Sequence, residues 1–214
     1  MLPLYLLFMI ILGIPALFFL LYLNVAAVSF ESLGLSPKGA FLVFALSLLG
    51  SVINIPIKRE QIVTRRAFPV LFPVFFYYPP VVQERVLAIN LGGAVVPMAV
   101  SLYLLPKAPL SKTVLATAVV SVICYMVARP VPGRGIMLPA MVPPLAAALS
   151  AVVLARGNAG VVAYIAGTMG TLIGADLMHL KHLRRTPGVL SIGGAGVYDG
   201  IFLAGLIAAF LAAR

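Results

Sequence analysis

The sequence is short of charge. Only 9% of its 214 residues are charged, and only five of those are acidic. Soluble domains carry about 25% charged residues, and disordered chains need low hydrophobicity, so both classes are excluded. The single cysteine, Cys124, excludes an internal disulfide and a cysteine-based metal site. No Gly-x-x-x-x-Gly-Lys motif is present, which excludes the common nucleotide-binding loop.

Long apolar runs are what the sequence has instead. Hydrophobic residues make up 63% of the chain, and the mean hydropathy is +1.15. Several runs reach the roughly 20 residues that cross a bilayer as a helix. We therefore predict an all-α fold, a polytopic membrane helical bundle, built as a single membrane-embedded domain over residues 1–214. About seven transmembrane helices are predicted, near 2–24, 39–57, 85–105, 110–128, 135–155, 159–178 and 190–212.

The basic residues predict the orientation. The net charge is +10, and we expect the partner of these basic residues to be the lipid bilayer. We expect no nucleic acid as partner, because no basic patch is interleaved with aromatic residues. One set of loops contains five basic residues, including Lys107 and Arg156, and the other contains ten. The side richer in Lys and Arg faces the cytoplasm, which predicts a cytoplasmic membrane protein with its N-terminus inside and its C-terminus outside. The ten basic residues of the richer set of loops are Lys58, Arg59, Arg65, Arg66, Arg85, Arg129, Arg134, Lys181, Arg184 and Arg185.

The longest stretch between predicted spans, 58–83, is basic at first and then aromatic, with four prolines. Prolines such as Pro69 and Pro73 would break a spanning helix. We expect this stretch to lie in the headgroup region as a surface anchor, with a substrate gate as the functional alternative.

Two parts of the chain echo each other. Asn90 opens the phrase Asn-Leu-Gly-Gly-Ala in one predicted span, and Ser191 opens Ser-Ile-Gly-Gly-Ala in another, four helices later. An even offset keeps both copies in one orientation, which suggests a 3+1+3 parallel repeat of the kind seen in some transporters. The halves would be 1–105 and 135–214, joined by a linker helix at 110–128. Alternatively, Gly-Gly-Ala recurs only because small residues let membrane helices pack closely.

Polar residues inside apolar runs are the candidate site. Asp199 and Asp176 are the two carboxylates within predicted spans, where an ionised group is costly unless it is paired or hydrated. Asn54 and Asn90 are amides in the repeat-related helices, and either interhelical hydrogen bonding or a polar pathway explains them. Together with Tyr198, which precedes Asp199, they form the predicted substrate-binding or ion-binding set.

Weaker candidates lie at the basic edge. Arg129 and Arg134 flank a turn rich in proline and glycine, where they would bind a lipid phosphate or another anion, or where Arg129 would pair with Asp176. His179 shares a helix face with Asp176, and His182 follows. These histidines are weak metal candidates because no second ligand cluster exists, so we predict no metal and no cofactor.

The phrases GSVINIP, INLGGAVVP, ARPVPGRGI, GTLIGADLMHLKH and SIGGAGVYDGIFLAG resemble an uncharacterised family of prokaryotic membrane proteins, the domain of unknown function 1614, over roughly residues 40–212. This resemblance implies a membrane location and no activity. Separately, the Tyr198–Asp199 pair resembles the Tyr-Asp motif of intramembrane aspartyl proteases, and Gly174-Ala175-Asp176 more distantly resembles their Gly-x-Gly-Asp motif. That similarity would imply that Asp176 and Asp199 are a catalytic pair.

Three functions compete on these observations. The first is a small-solute or ion transporter that uses an intramembrane aspartate. The second is a diaspartyl membrane hydrolase with Asp176 and Asp199 as acid and base. The third is a non-catalytic membrane factor that binds lipid or a partner, with homo-oligomers formed through a glycine-rich helix face. That face comprises Gly193, Gly194, Gly196, Gly200 and Gly205.

Overall fold

A computed structural model describes residues 4–64, 81–131, 135–181, 188–194 and 200–212. Most of these residues are helical. Two π-helical turns extend the α-helices, Leu91–Val95 before α3 and Leu172–Leu177 after α6, and two short 3-10 turns are Leu105–Lys107 and Arg156–Asn158. The α-helices described are α1 Leu4–Ser32, α2 Pro37–Gly50, α3 Val96–Leu104, α4 Leu110–Val127, α5 Val142–Leu154, α6 Ala159–Thr171 and α7 Gly200–Ala212.

Three helical stretches are long and apolar enough to cross a membrane. They are Ile11–Ser32, Leu110–Val127 and Arg156–Leu177. Four further apolar helices are shorter, at Pro37–Gly50, Leu91–Lys107, Val142–Leu154 and Ile201–Ala212. This pattern indicates a membrane-associated protein. The predicted count of seven spans stays a prediction, because length and composition identify three.

The α6 helix lies at the centre of the helical part and packs against α4, α5 and α7. Most of its buried residues are small, including Ala163, Ala166 and Gly170. Ser121 and Val120 of α4 approach Gly174 and Gly170 so closely that a Cβ at either glycine would overlap them. Small residues of this kind let apolar helices approach closely where lipid offers no hydrophobic driving force.

The all-α prediction is wrong in one respect, because the described part of the chain contains five strands. The strand β1, Asn54–Thr64, pairs antiparallel with β2, Val81–Asn90, and β2 pairs parallel with β5, Gly188–Ile192. The sheet order is β1-β2-β5, and a separate short hairpin joins β3, Arg129–Val131, to β4, Gly135–Met137. Pro56 is tolerated because β1 is an edge strand and its register shifts between Pro56 and Lys58.

The strands shift several predicted boundaries. The predicted spans 39–57, 85–105, 135–155 and 190–212 each end or begin in strand, so the helical parts are shorter than expected. The predicted surface anchor at 58–83 is strand at 58–64 and 81–83, and residues 65–80 lie outside the described part. The expected span 110–128 agrees with α4, and 159–178 agrees with α6 and its π-helical turn. Helix α1 runs to Ser32, beyond the expected residue 24.

The two echoing phrases occupy similar places in this fold. Asn90 ends β2 and Ser191 lies in β5, and these two strands are adjacent and parallel. Each strand is followed by its Gly-Gly pair and then, further along the chain, by an apolar helix, α3 or α7. Whether the halves 1–105 and 135–214 form a repeat stays a prediction.

Candidate functional site

Polar side chains from four elements meet where β2 and β5 end. We call this group the polar junction, and it consists of Asn54, Asn90, Asp176, Ser191 and Gly193. Asn54 begins β1, Asn90 ends β2, Ser191 lies in β5 and Asp176 lies in the π-helical turn after α6. The strand ends bring these residues to one edge of the sheet, beside the ends of the apolar helices.

Asn90 is the buried centre of the junction. Its side chain is 2% exposed, and its Oδ1 accepts a hydrogen bond from Gly93 N at 2.8 Å, which caps the π-helical turn Leu91–Val95. Its Nδ2 donates to Ser51 O at 2.6 Å and to Asn54 Oδ1 at 3.1 Å. One amide therefore holds a helix start, the end of α2 and the first residue of β1 together.

Asn54 links the two echoing segments. Its Oδ1 accepts from Asn90 Nδ2 and also from Ser191 Oγ at 2.5 Å. The hydrogen bond expected between helices instead joins the paired end residues of β1 and β2, and a polar pathway lined by Asn54 and Asn90 stays a prediction. Ser191 is not among the predicted site residues, although its match to Asn90 in the echo is the signal that points to it.

The side chain of Asp176 joins the junction through a hydrogen bond with the backbone of Gly193. Its Oδ2 accepts a hydrogen bond from Gly193 N at 2.7 Å. Gly193 has φ +73, a conformation that glycine adopts without strain, and it directly follows β5. The side chain of Asp176 is partly buried, so the carboxylate is held at the border between the apolar interior and the sheet.

Glycines let the strands and helices come this close. A Cβ at Gly193 would overlap Ala94, and a Cβ at Gly92 would overlap the backbone of α2 near Ser47 and Ser51. Ser47 Oγ donates to Gly92 O at 2.5 Å in the same place. The predicted glycine-rich helix face is corrected here, because Gly193 and Gly194 lie in the turn after β5 and not on a helix.

His179 lies one turn beyond Asp176 and is buried. Its Nδ1 lies 3.2 Å from Gly174 O and 3.0 Å from Ala175 O, so it donates to the end of its own helix. Its ring packs on Tyr125, with centroids 4.8 Å apart. His182 lies outside the described residues, and within the described part no group of three or more His, Cys, Asp or Glu side chains could hold a metal ion.

The arginine predictions have a mixed outcome. Arg129 is exposed at the start of β3, as an anion-binding or lipid-binding residue would be, but Arg134 lies outside the described residues. The expected pair between Arg129 and Asp176 is not found, since the ion pairs in the described ranges join Glu60 to Lys58 at 2.5 Å and to Arg85 at 3.1 Å.

Asp199 and Tyr198 also lie outside the described residues. The expected continuous helix around them is corrected in part, because β5 ends at Ile192 and α7 begins at Gly200. The separation of the Asp176 and Asp199 carboxyls is therefore not described. The catalytic pair of the hydrolase hypothesis stays a prediction.

Comparisons with known proteins place the chain in a family. No curated protein and no solved structure matches it. Nothing in these comparisons supports the similarity to intramembrane aspartyl proteases. One family matches residues 48–211, which include the whole polar junction. The chain belongs to the family described as "Protein of unknown function (DUF1614)".

Proposed function

We propose that the protein is a membrane transporter for a small cation, with Asp176 as the cation-binding carboxylate. The observation that carries the proposal is the bond from Gly193 N to Asp176 Oδ2, at 2.7 Å. It joins a carboxylate near the end of an apolar helix to a backbone turn of the neighbouring strand. Carboxylates in such positions are costly to keep and commonly mark ion pathways.

The helix geometry around Asp176 supports this proposal. Asp176 lies in a π-helical turn, and a second π-helical turn begins directly after Asn90. π-Helical turns are frequent at functional sites. Transporters often bind substrate and coupling ions where membrane helices are interrupted, because the interruption releases backbone polar groups for the ion.

The oxygens of the junction suit a cation. Asp176 supplies a carboxylate and Ser191 supplies a hydroxyl oxygen, whereas Asn54 Oδ1 already accepts two hydrogen bonds and supports the Ser191 hydroxyl instead of binding the ion. Carboxylate, amide and hydroxyl oxygens are the ligands of hard cations. Asn90 has a different role in this proposal, since its amide is engaged on both atoms and holds the helix start in place.

The test is ion flux in proteoliposomes that contain the purified full-length chain. Proton flux is followed with a trapped pH dye, and Na⁺ flux with a trapped Na⁺ dye. We expect the wild type to conduct one of the two ions, and Asp176→Asn to lower that flux at least tenfold. Glu31→Gln is the matched control, because it neutralises an exposed carboxylate at the end of α1 and should leave flux unchanged.

The two alternative functions differ from transport in what they require of Asp176 and Asp199. A diaspartyl hydrolase needs Asp176 and Asp199 within about one water of each other and cleaves a peptide substrate. A non-catalytic factor that binds lipid or a partner needs neither carboxylate. If the wild type passes neither H⁺ nor Na⁺ above protein-free liposomes, the cation transporter is wrong and these two functions are tested next.

A further inference from the structure

Two hydroxyl groups lie in the interior of the helical part. Tyr164 and Thr168 of α6 are both 0% exposed. Among the residues that the structure describes, Tyr164 Oη and Thr168 Oγ1 have no hydrogen-bond partner other than each other, and a bond between them leaves one hydroxyl hydrogen without an acceptor. Buried hydroxyl groups are nearly always hydrogen-bonded, to protein or to ordered water. In an apolar helical interior the missing partner cannot come from lipid.

The two hydroxyls belong to one place. Residues four apart lie on the same face of an α-helix, so Tyr164 and Thr168 are neighbours. Gly205 of α7 lies against both, since a Cβ there would overlap Thr168 Oγ1 and touch Tyr164. Because Gly205 has no side chain, the α7 backbone packs directly against the Thr168 hydroxyl, and Gly205 offers it no side-chain partner.

This place is aligned with Asp176. Thr171 continues the row three residues after Thr168, is buried, and donates through Oγ1 to Gly167 O at 2.6 Å. Asp176 follows five residues later. In a regular α-helix that spacing would turn Asp176 about 140° away from Thr171. The π-helical turn Leu172–Leu177 brings Asp176 back towards the face of Thr171, because residues five apart are hydrogen-bonded neighbours in a π-helix.

We propose that the Tyr164 and Thr168 hydroxyls bind water inside the helix bundle, and that this water continues the cation path from Asp176. Water is the ligand that fits, since it both donates to and accepts from neutral hydroxyls. Thr168 lies about 12 Å from Asp176 along the helix at 1.5 Å per residue, with Thr171 between them. The water site does not depend on the proposed transport function, whereas its place in the cation path rests on that function.

The water site is tested by hydroxyl-radical footprinting with X-rays on the full-length chain in nanodiscs. Radicals form from water at the site, so a buried tyrosine beside bound water is oxidised and one in a dry interior is not. Phe30 is the internal reference, because it is aromatic, 1% exposed and lies in the same apolar cluster. We expect Tyr164 to be oxidised at least fivefold faster than Phe30, and oxidation of Tyr164 at the rate of Phe30 overturns the inference.

Two substitutions at one position provide the matched comparison. Thr168→Val removes the hydroxyl at nearly constant shape and should lower the oxidation of Tyr164 to the rate of Phe30. Thr168→Ser keeps the hydroxyl and should retain the wild-type rate. Equal oxidation of Tyr164 in the two variants would show that Thr168 does not hold the water.

The link to transport has its own measurement. Tyr164→Phe should lower the ion flux of the proteoliposome assay at least tenfold, and the control Glu31→Gln, at an exposed position at the end of α1, should not. If the wild type conducts and Tyr164→Phe conducts equally, the water lies off the path and that half of the inference is wrong. If the wild type passes no ion, the proposed function fails, while footprinting still decides whether the water is there.

Discussion

At the scale of single residues, Asn90 should matter most for stability. Asn90→Ala removes the acceptor for Gly93 N and the donor to Ser51 O in a buried place, so we expect a loss of about 1–3 kcal/mol. Asn158→Ala is the control, because Asn158 is exposed and its side chain donates to Lys107 O at the surface. The measurement is the unfolding midpoint in detergent, and an equal fall for both variants would contradict the central role of Asn90.

The polar residues of the junction are partly predictable. Asn54 and Asn90 stand out in the sequence because amides are conspicuous in apolar runs, and they are in contact. Asp176 stands out for its charge, but its partner is a backbone N–H. A backbone group carries no sequence signature, so the bond to Gly193 could not be foreseen. Predictions on Asp199 and Tyr198 fall outside the described residues.

At the scale of elements, the contact between α4 and the end of α6 depends on Gly174. A Cβ at this position would overlap the backbone of Ser121, so Gly174→Ala must push the helices apart, and overpacking of this kind costs about 1–3 kcal/mol. Gly13→Ala is the control, since Gly13 lies within α1, where an added Cβ would meet nothing within 4 Å. Thermal unfolding should show a lower midpoint for Gly174→Ala alone, and an unchanged midpoint would refute the close contact.

The strands escape sequence-based prediction for a physical reason. An apolar run of four to eight residues is equally compatible with a buried strand and with the start of a membrane helix. The residues before Asn90 and those around Ser191 lead directly into apolar helical sequence, so a local pattern assigns each run to a helix as a whole. In the sheet, β2 is the central strand and pairs with β1 and β5 on its two sides, a long-range pairing that a local pattern does not reveal. Helix α4 and the helical stretch Arg156–Leu177, by contrast, match the prediction because their apolar runs are unbroken.

At the scale of the whole molecule, the loops separate into two ends. Lys107 and Asn158 are hydrogen-bonded, and Ser32 lies beside Gly160, so the chain turns that are poor in basic residues meet at one end. The sheet contains Lys58 and Arg85, and it contacts the end of the helical stretch Arg156–Leu177, which Lys181 follows. This contact lies elsewhere, away from those turns. Which end faces the cytoplasm stays a prediction.

Cysteine labelling tests that orientation. Gly157→Cys lies in the exposed turn between α5 and α6, where a Cβ would have nothing within 4 Å, and Gln61→Cys is exposed on β1. The native Cys124 is fully buried, so its background should be low. In right-side-out membrane vesicles, a membrane-impermeant maleimide should label Gly157→Cys and spare Gln61→Cys, because the loops rich in Lys and Arg are retained on the cytoplasmic side. Inside-out vesicles should give the opposite pattern. Labelling of Gln61→Cys from the outside would reverse the predicted topology and place Asp176 at the external end of the proposed path.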